Sequence, residues 1–298
     1  MNITRHLRLS GFARVLLASI IWGTIGVATQ AIYSIEDTSP LFINLMRTLI
    51  ATPILVLMCW RSIGRQLFQV RSRDFAVMCL MGTCLVLSQV MYFSGIRYAG
   101  ITISTLLTLC VPPVLVTCLS VLLKWETLQA RIIAALVFAM VGSILLVRIT
   151  PGNDSYPQLE QGIIYSLISA VLYAGMLVSA HVVAERYHPL QVNAIGFCAG
   201  TLVLLVIALP GDVVGMQSPQ AWGFVLYLGL IPTALAYWLF QVGLKTVSAS
   251  TSSIVLMIDP LVAACLAWLM FGETLSLIGF IGAGMLLLSL LILGTKDR

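Results

Sequence analysis

The chain repeats itself. Gly95-Ile96-Arg97 leads through Thr102, Ser104 and Thr105 to Pro113, then along an apolar run to Glu126-Thr127. Gly243-Leu244-Lys245 leads through Ser248, Ser250, Thr251, Ser252 and Ser253 to Pro260, then along a second apolar run to Glu273-Thr274. The offset is 148 residues at the glycines and 147 from the prolines onward, so a single one-residue gap aligns the two stretches. Further matches extend the repeat. Pro40-Leu41-x-x-Asn44 returns as Pro189-Leu190-x-x-Asn193, and Ala18-x-x-x-Trp22-Gly23 has a weaker echo in Ser169-x-x-x-Tyr173-Ala174. Two apolar copies of one unit are the signature of a carrier fold whose substrate site lies where the copies meet, near the bilayer midplane.

The copies are apolar enough for lipid. Hydrophobic residues make up 60% of the chain and charged residues 9%, with a mean hydropathy of +1.04. A soluble domain carries about 25% charged residues. Runs of about 20 apolar residues, each able to cross a hydrocarbon layer about 30 Å thick, recur throughout. The net charge of +5 is spread over short connections and is no nucleic-acid signal. All seven cysteines fall within apolar runs, and neither they nor the three histidines have metal-ligand spacing. No metal or cofactor is expected.

The pattern predicts ten spans, near 13–33, 40–60, 75–95, 99–122, 130–149, 161–182, 190–210, 220–241, 247–271 and 275–294. Ser39-Pro40, His188-Pro189 and Ser218-Pro219 mark helix starts, and the basic N-terminal arm leads into an uncleaved first helix. With the N-terminus inside, we place twelve Lys or Arg in inner segments and three (Arg97, Arg148 and Lys245) outside. That asymmetry orients both termini to the cytoplasm. The expected fold class is therefore an all-α integral membrane protein of ten transmembrane helices. Residues 1–150 and 151–298 form two five-helix repeats, and the odd span number inverts the second.

Trp22-Gly23, Arg47, Pro113 with Trp125-Glu126, and Asp259-Pro260 with Gly272-Glu273 stand in the order and spacing of a known family. The chain resembles the ten-helix drug/metabolite transporter superfamily, specifically its bacterial members with two tandem EamA domains. The resemblance implies an inner-membrane exporter of amino acids, related metabolites or toxic compounds, with uptake carriers also represented. Many relatives have Glu where Asp259 stands, and the first copy reads Val111-Pro112-Pro113 there.

Asp259 lies about twelve residues from either end of the ninth span. A carboxylate at mid-membrane costs about 2.5–3.5 kcal/mol on insertion scales, so it faces a cavity or a partner. Two compatible readings stand: a proton-coupling or substrate-ammonium site, and an N-cap for a half-helix starting at Pro260. With Pro112 and Pro113, Pro260 marks a candidate helix break. Arg47 lies some seven residues into the second span. It is read either as a fork for a substrate carboxylate or as a structural clamp. Trp22, Asn44, Gln89, Tyr92, Thr108, Tyr173, Asn193, Tyr237, Trp238 and Gln241 are cavity-lining candidates, weighed against helix–helix hydrogen bonding.

Three function classes compete. A secondary carrier accounts for the repeat, the sparse intramembrane charge and the lack of a GxxxxGK[ST] motif. An intramembrane enzyme would want a convergent motif such as H-E-x-x-H or G-x-S-x-G, and none occurs. A channel would want a ring of like groups, which one acid and one base do not supply. The expected partners are a small-molecule substrate and the lipid bilayer, with no nucleic acid; monomer and homodimer both stay open.

Overall fold

The computed structural model describes residues 2–125, 127–146, 159–209, 215–262, 265–266 and 277–294. Glu126, Arg148, Gly272, Glu273 and Thr274, singled out above, lie outside the described residues. The described chain is helical: α1 (Asn2–Ile35), α2 (Pro40–Ile63), α3 (Ser72–Leu122), α4 (Ala130–Leu146), α5 (Leu159–Ala184), α6 (Pro189–Ala208), α7 (Pro219–Leu228), α8 (Ala236–Gly243), α9 (Ala249–Val255) and α10 (Leu277–Gly294). Six helical stretches are long and apolar enough to cross a membrane, and Leu107–Leu122, Ala130–Leu145, Ala249–Val262 and Leu277–Leu293 are shorter apolar helices.

The helix starts follow the local sequence. Ser39 has extended dihedrals and its Oγ accepts the Phe42 N–H at 3.1 Å, while Pro40 supplies a preset first turn. Pro189 and Pro219 open α6 and α7 in the same way. The expected gap between the third and fourth spans is absent as a break in helicity, because α3 runs unbroken for 51 residues. It nevertheless doubles back. Nine residues of straight helix span about 13.5 Å, yet a Cβ on Gly95 would stand 3.1 Å from Ser104 Oγ. Its two ends agree: Trp125 meets His181 in the last turns of α5, and Asp74 meets Tyr187 just beyond that helix.

Packing respects the repeat. α3 packs on α5 and α6, and the matching helices of the other copy, α7 to α9, pack on α1 and α2. Two further contacts, α2 with α6 and α4 with α10, each pair a helix with its own counterpart. Individual residues follow the same mapping. Gly243 meets the α1 backbone at Gly11, whose carbonyl would lie 2.9 Å from an added Cβ. Gly95 meets α5 at Gly162, with the corresponding carbonyl at 3.4 Å. Neither crossing has room for a side chain at these glycines, as expected where membrane helices approach on small residues. Thr52 and Thr201, 149 residues apart like Pro40 and Pro189, hydrogen-bond to each other at 2.9 Å.

α2 and α6 are antiparallel across that threonine pair. At one end, Gln191 Nε2 donates to the carbonyls of Gln66 and Leu67 just beyond α2. At the other, Leu45 packs with Leu204. One expectation is corrected here. Lys245 sits within electrostatic range of His188, so it belongs to the end that holds the α5–α6 connection and the loop after α2. A helical hairpin between spans eight and nine must return to that end, and Lys245 therefore joins the basic-rich side. His188 is pushed below the ordinary histidine range, first by burial and then by the Lys245 charge.

Candidate functional site

The site gathers where α1, α2, α8 and the turns after α9 converge. α9 tightens into a 3-10 turn at Leu256–Ile258, and Asp259-Pro260 resumes the helix. Asp259 has helical dihedrals (φ −49°, ψ −46°), whereas an N-cap residue has extended ones. Its carboxylate is turned toward α1 and accepts from the buried hydroxyl of Ser19, whose Oγ also approaches the carbonyls of Val255 (3.3 Å) and Leu256 (3.4 Å). Gly23 permits this approach: a Cβ there would lie 3.0 Å from the Asp259 carbonyl oxygen. The Trp22-Gly23 pair thus has two jobs, and the second belongs to the indole.

Trp22 Nε1 donates to the Pro232 carbonyl at 2.8 Å. That acceptor exists because of a local fault. Pro232 has no N–H for the Leu228 carbonyl, and the Thr233 hydroxyl takes that carbonyl instead at 2.7 Å. The backbone from Gly229 to Leu235 widens into a π turn, in which the Ala236 N–H bonds Ile231 rather than Pro232. π turns concentrate at functional sites. Around the indole lie Tyr237 at 4.6 Å and Phe240 at 5.3 Å between ring centroids, and Phe197 packs edge-on to Tyr237 at 5.1 Å.

Arg47 is 4% exposed. Its Nη2 donates to Gln89 Oε1 at 3.2 Å, and its buried Nε has no hydrogen-bond partner among the described residues. Tyr237 stands within electrostatic range of both Arg47 and Asp259, and Tyr173 within range of Tyr237 and Asp259. The acid and the base therefore both stand near Tyr237 without forming a salt bridge with each other, whereas Arg186 and Asp74 do pair.

Of the residues singled out from the sequence, the structure brings Trp22, Arg47, Gln89, Tyr173, Tyr237 and Asp259 together. Gln241 is buried with its amide on the Ala180 carbonyl at 3.0 Å, fastening α8 to α5. Asn44 and Asn193 do not share a wall. Each lies eight residues before its threonine on antiparallel helices, about 24 Å from the other along the bundle at 1.5 Å per residue. Their Nδ2 atoms and Thr108 Oγ1 are buried without a hydrogen-bond partner among the described residues. Tyr92 is half-buried against Phe93, and Trp238 is half-buried at the edge of the main core. Pro112 and Pro113 are buried inside α3, and Pro260 is buried beside Asp259. Ser19, Phe197 and Phe240 join the site without having stood out in the sequence. The available signal for Ser19 is its place three residues before Trp22, on the same helix face.

The EamA-like transporter family model matches residues 9–148 and again 160–295, and the chain belongs to this family. It is a membrane transporter. The uncharacterized transporter YwfM of Bacillus subtilis is 27% identical over 95% of this chain and 93% of its own. An uncharacterized transporter of Archaeoglobus fulgidus is 28% identical over 95% of each chain. Protein PagO of Salmonella typhimurium is 28% identical over 88% of this chain and 85% of its own. A crystal structure that is 17% identical superposes with a TM-score of 0.83 over 96% of both chains, which shows the same fold.

Proposed function

We propose that this transporter is a secondary carrier of small organic metabolites across the bacterial inner membrane, working as an exporter of amino acids or related amines. In this reading the chain is ten spans with both termini cytoplasmic, in two inverted repeats (1–150 and 151–298). The antiparallel α2–α6 pair and the equivalent glycine crossings support it.

The observation that carries the site assignment is a buried guanidinium and a part-buried carboxylate, both within electrostatic range of Tyr237 and unpaired with each other. A buried ion without a counter-ion is costly. An amino acid answers both ends: its carboxylate meets Arg47 and its ammonium meets Asp259, with Trp22 and Tyr237 against the side chain. Asp259 is also the proton-coupling group, neutral when protonated and charged when it receives the ammonium. Uptake of carboxylates is the second reading, favoured by Arg47 alone, which has a neutral amide and no carboxylate as its partner.

The test is mass spectrometry of medium and cytoplasm from cells expressing wild type or Asp259→Asn at equal membrane abundance. A metabolite released only by wild type names the substrate and the direction. Release that is identical in the two strains removes Asp259 from the mechanism, and accumulation inside wild-type cells selects uptake.

A further inference from the structure

Each end of the bundle carries one contact that ties the first helix of a copy to the start of a helix in the other copy, and the two contacts are counterparts. Trp22 and Tyr173 are 151 residues apart, and the same step carries Glu36 onto Tyr187. Pro219 and Ser72, the first residues of α7 and α3, are 147 apart, and that step carries Ser218 onto Arg71.

Glu36 Oε1 accepts the backbone N–H groups of Gln217 (2.8 Å) and Ser218 (3.0 Å), and Oε2 accepts that of Gln217 at 3.1 Å. At the matching place Tyr187 Oη accepts the backbone N–H of Arg71 at 3.3 Å. Ser218 and Arg71 are the N-cap residues of α7 and α3, and neither side chain caps its own helix. Glu36 adjoins the start of α2 and Tyr187 the start of α6. Those helices are antiparallel, so the two contacts close opposite ends of the bundle.

From this geometry we infer that Glu36 and Tyr187 are the paired gate residues of the carrier: both contacts are made in this structure, and during transport each opens only while the other holds. This rests on the carrier reading above. The two gates are unequal. Glu36 holds main-chain N–H groups at an exposed edge. Tyr187 also donates to Asp74 Oδ2 at 2.7 Å, and the almost fully buried Asp74 receives Arg186 Nη1 at 3.2 Å. A buried, doubly engaged carboxylate is the stronger fastening. Of the two closed contacts, the one at the Glu36 end is therefore the readier to open.

The test needs no substrate. In full-length protein whose seven native cysteines are replaced, reconstituted in lipid vesicles, Asp37→Cys and Gln217→Cys, which leave the Glu36 carboxylate and the backbone N–H groups it accepts in place, are cross-linked with a short bifunctional thiol reagent. Adding Asp74→Asn weakens the far gate and should speed cross-linking at the Glu36 end by about fivefold, the effect of losing one good hydrogen bond. Tyr187→Phe, which removes one oxygen, should act in the same direction and stands in if Asp74→Asn does not fold. An unchanged or slower rate in the folded variants overturns the inference. Because the rate is read without transport, that result leaves the carrier assignment standing, and failure of the metabolite experiment leaves the gates standing.

Discussion

The two copies share a scaffold and divide the chemistry. Where the second copy has Asp259, the first has Pro112; where α1 offers Ser19, α5 offers Ala170. Arg47 of α2 has Gly196 as its counterpart on α6. Yet the glycine crossings and the Thr52–Thr201 bond obey the repeat closely. The difference separates two demands. Exchanging access between two faces requires equivalent packing in both copies. Holding one polar molecule requires charges at one place, since a second acid–base set would add buried ions with no partner.

The comparison can be pressed at the acid first. Asp259→Asn should lower export of the metabolite found by mass spectrometry by about 100-fold and flatten its pH dependence, equivalent to about 3 kcal/mol for a charge-assisted contact. Pro112→Ala, at the matching position, should leave pH dependence intact. Equal losses in the two variants would mean that Asp259 is structural.

The base comes next. Arg47→Lys keeps the charge and loses the fork, so half-saturation should rise about tenfold with little change in maximal rate. Competition by an uncharged substrate analogue should be unaffected. A drop in maximal rate alone would assign Arg47 to helix packing.

Ser19→Ala removes a donor from the Asp259 carboxylate and should cost about fivefold in rate, while Ala170→Ser should do nothing measurable. The smallest effect is the symmetric one. Thr52→Val and Thr201→Val should each lower stability by about 1 kcal/mol, and the double variant by no more than one of them, because both remove the same bond. Unequal single effects, read from thermal unfolding in detergent, would show that this crossing is not shared equally.

Much of this was legible in the residues. Composition gave the membrane, the spaced prolines gave the helix starts, and rare charge in apolar runs gave Asp259 and Arg47. Periodicity describes a helix by itself, though, and the losses occurred where a second helix decides. Asn44 and Asn193 match in register, but an antiparallel crossing at Thr52–Thr201 sends matched positions in opposite directions. The reversal expected between the third and fourth spans is there near Gly95, but helical structure runs through it, which an apolar pattern does not distinguish from a loop. Asp259 reads as an N-cap from Asp-Pro alone, until Ser19 supplies a partner on α1.

The π turn at Gly229–Leu235 has a mechanical consequence. It stores one surplus residue in the helix ladder, and the carbonyl left over at Pro232 is the one that fastens the Trp22 indole. Annealing the ladder to ordinary α register would aim the Ala236 N–H at that oxygen and turn the segment beyond it by about 100°, one residue's rotation. Tyr237 would leave the face of Trp22 in the same motion. The defect in α7–α8 and the side chain that anchors α1 thus meet at one oxygen, and annealing the ladder would set the Ala236 N–H in competition with the Trp22 indole for it.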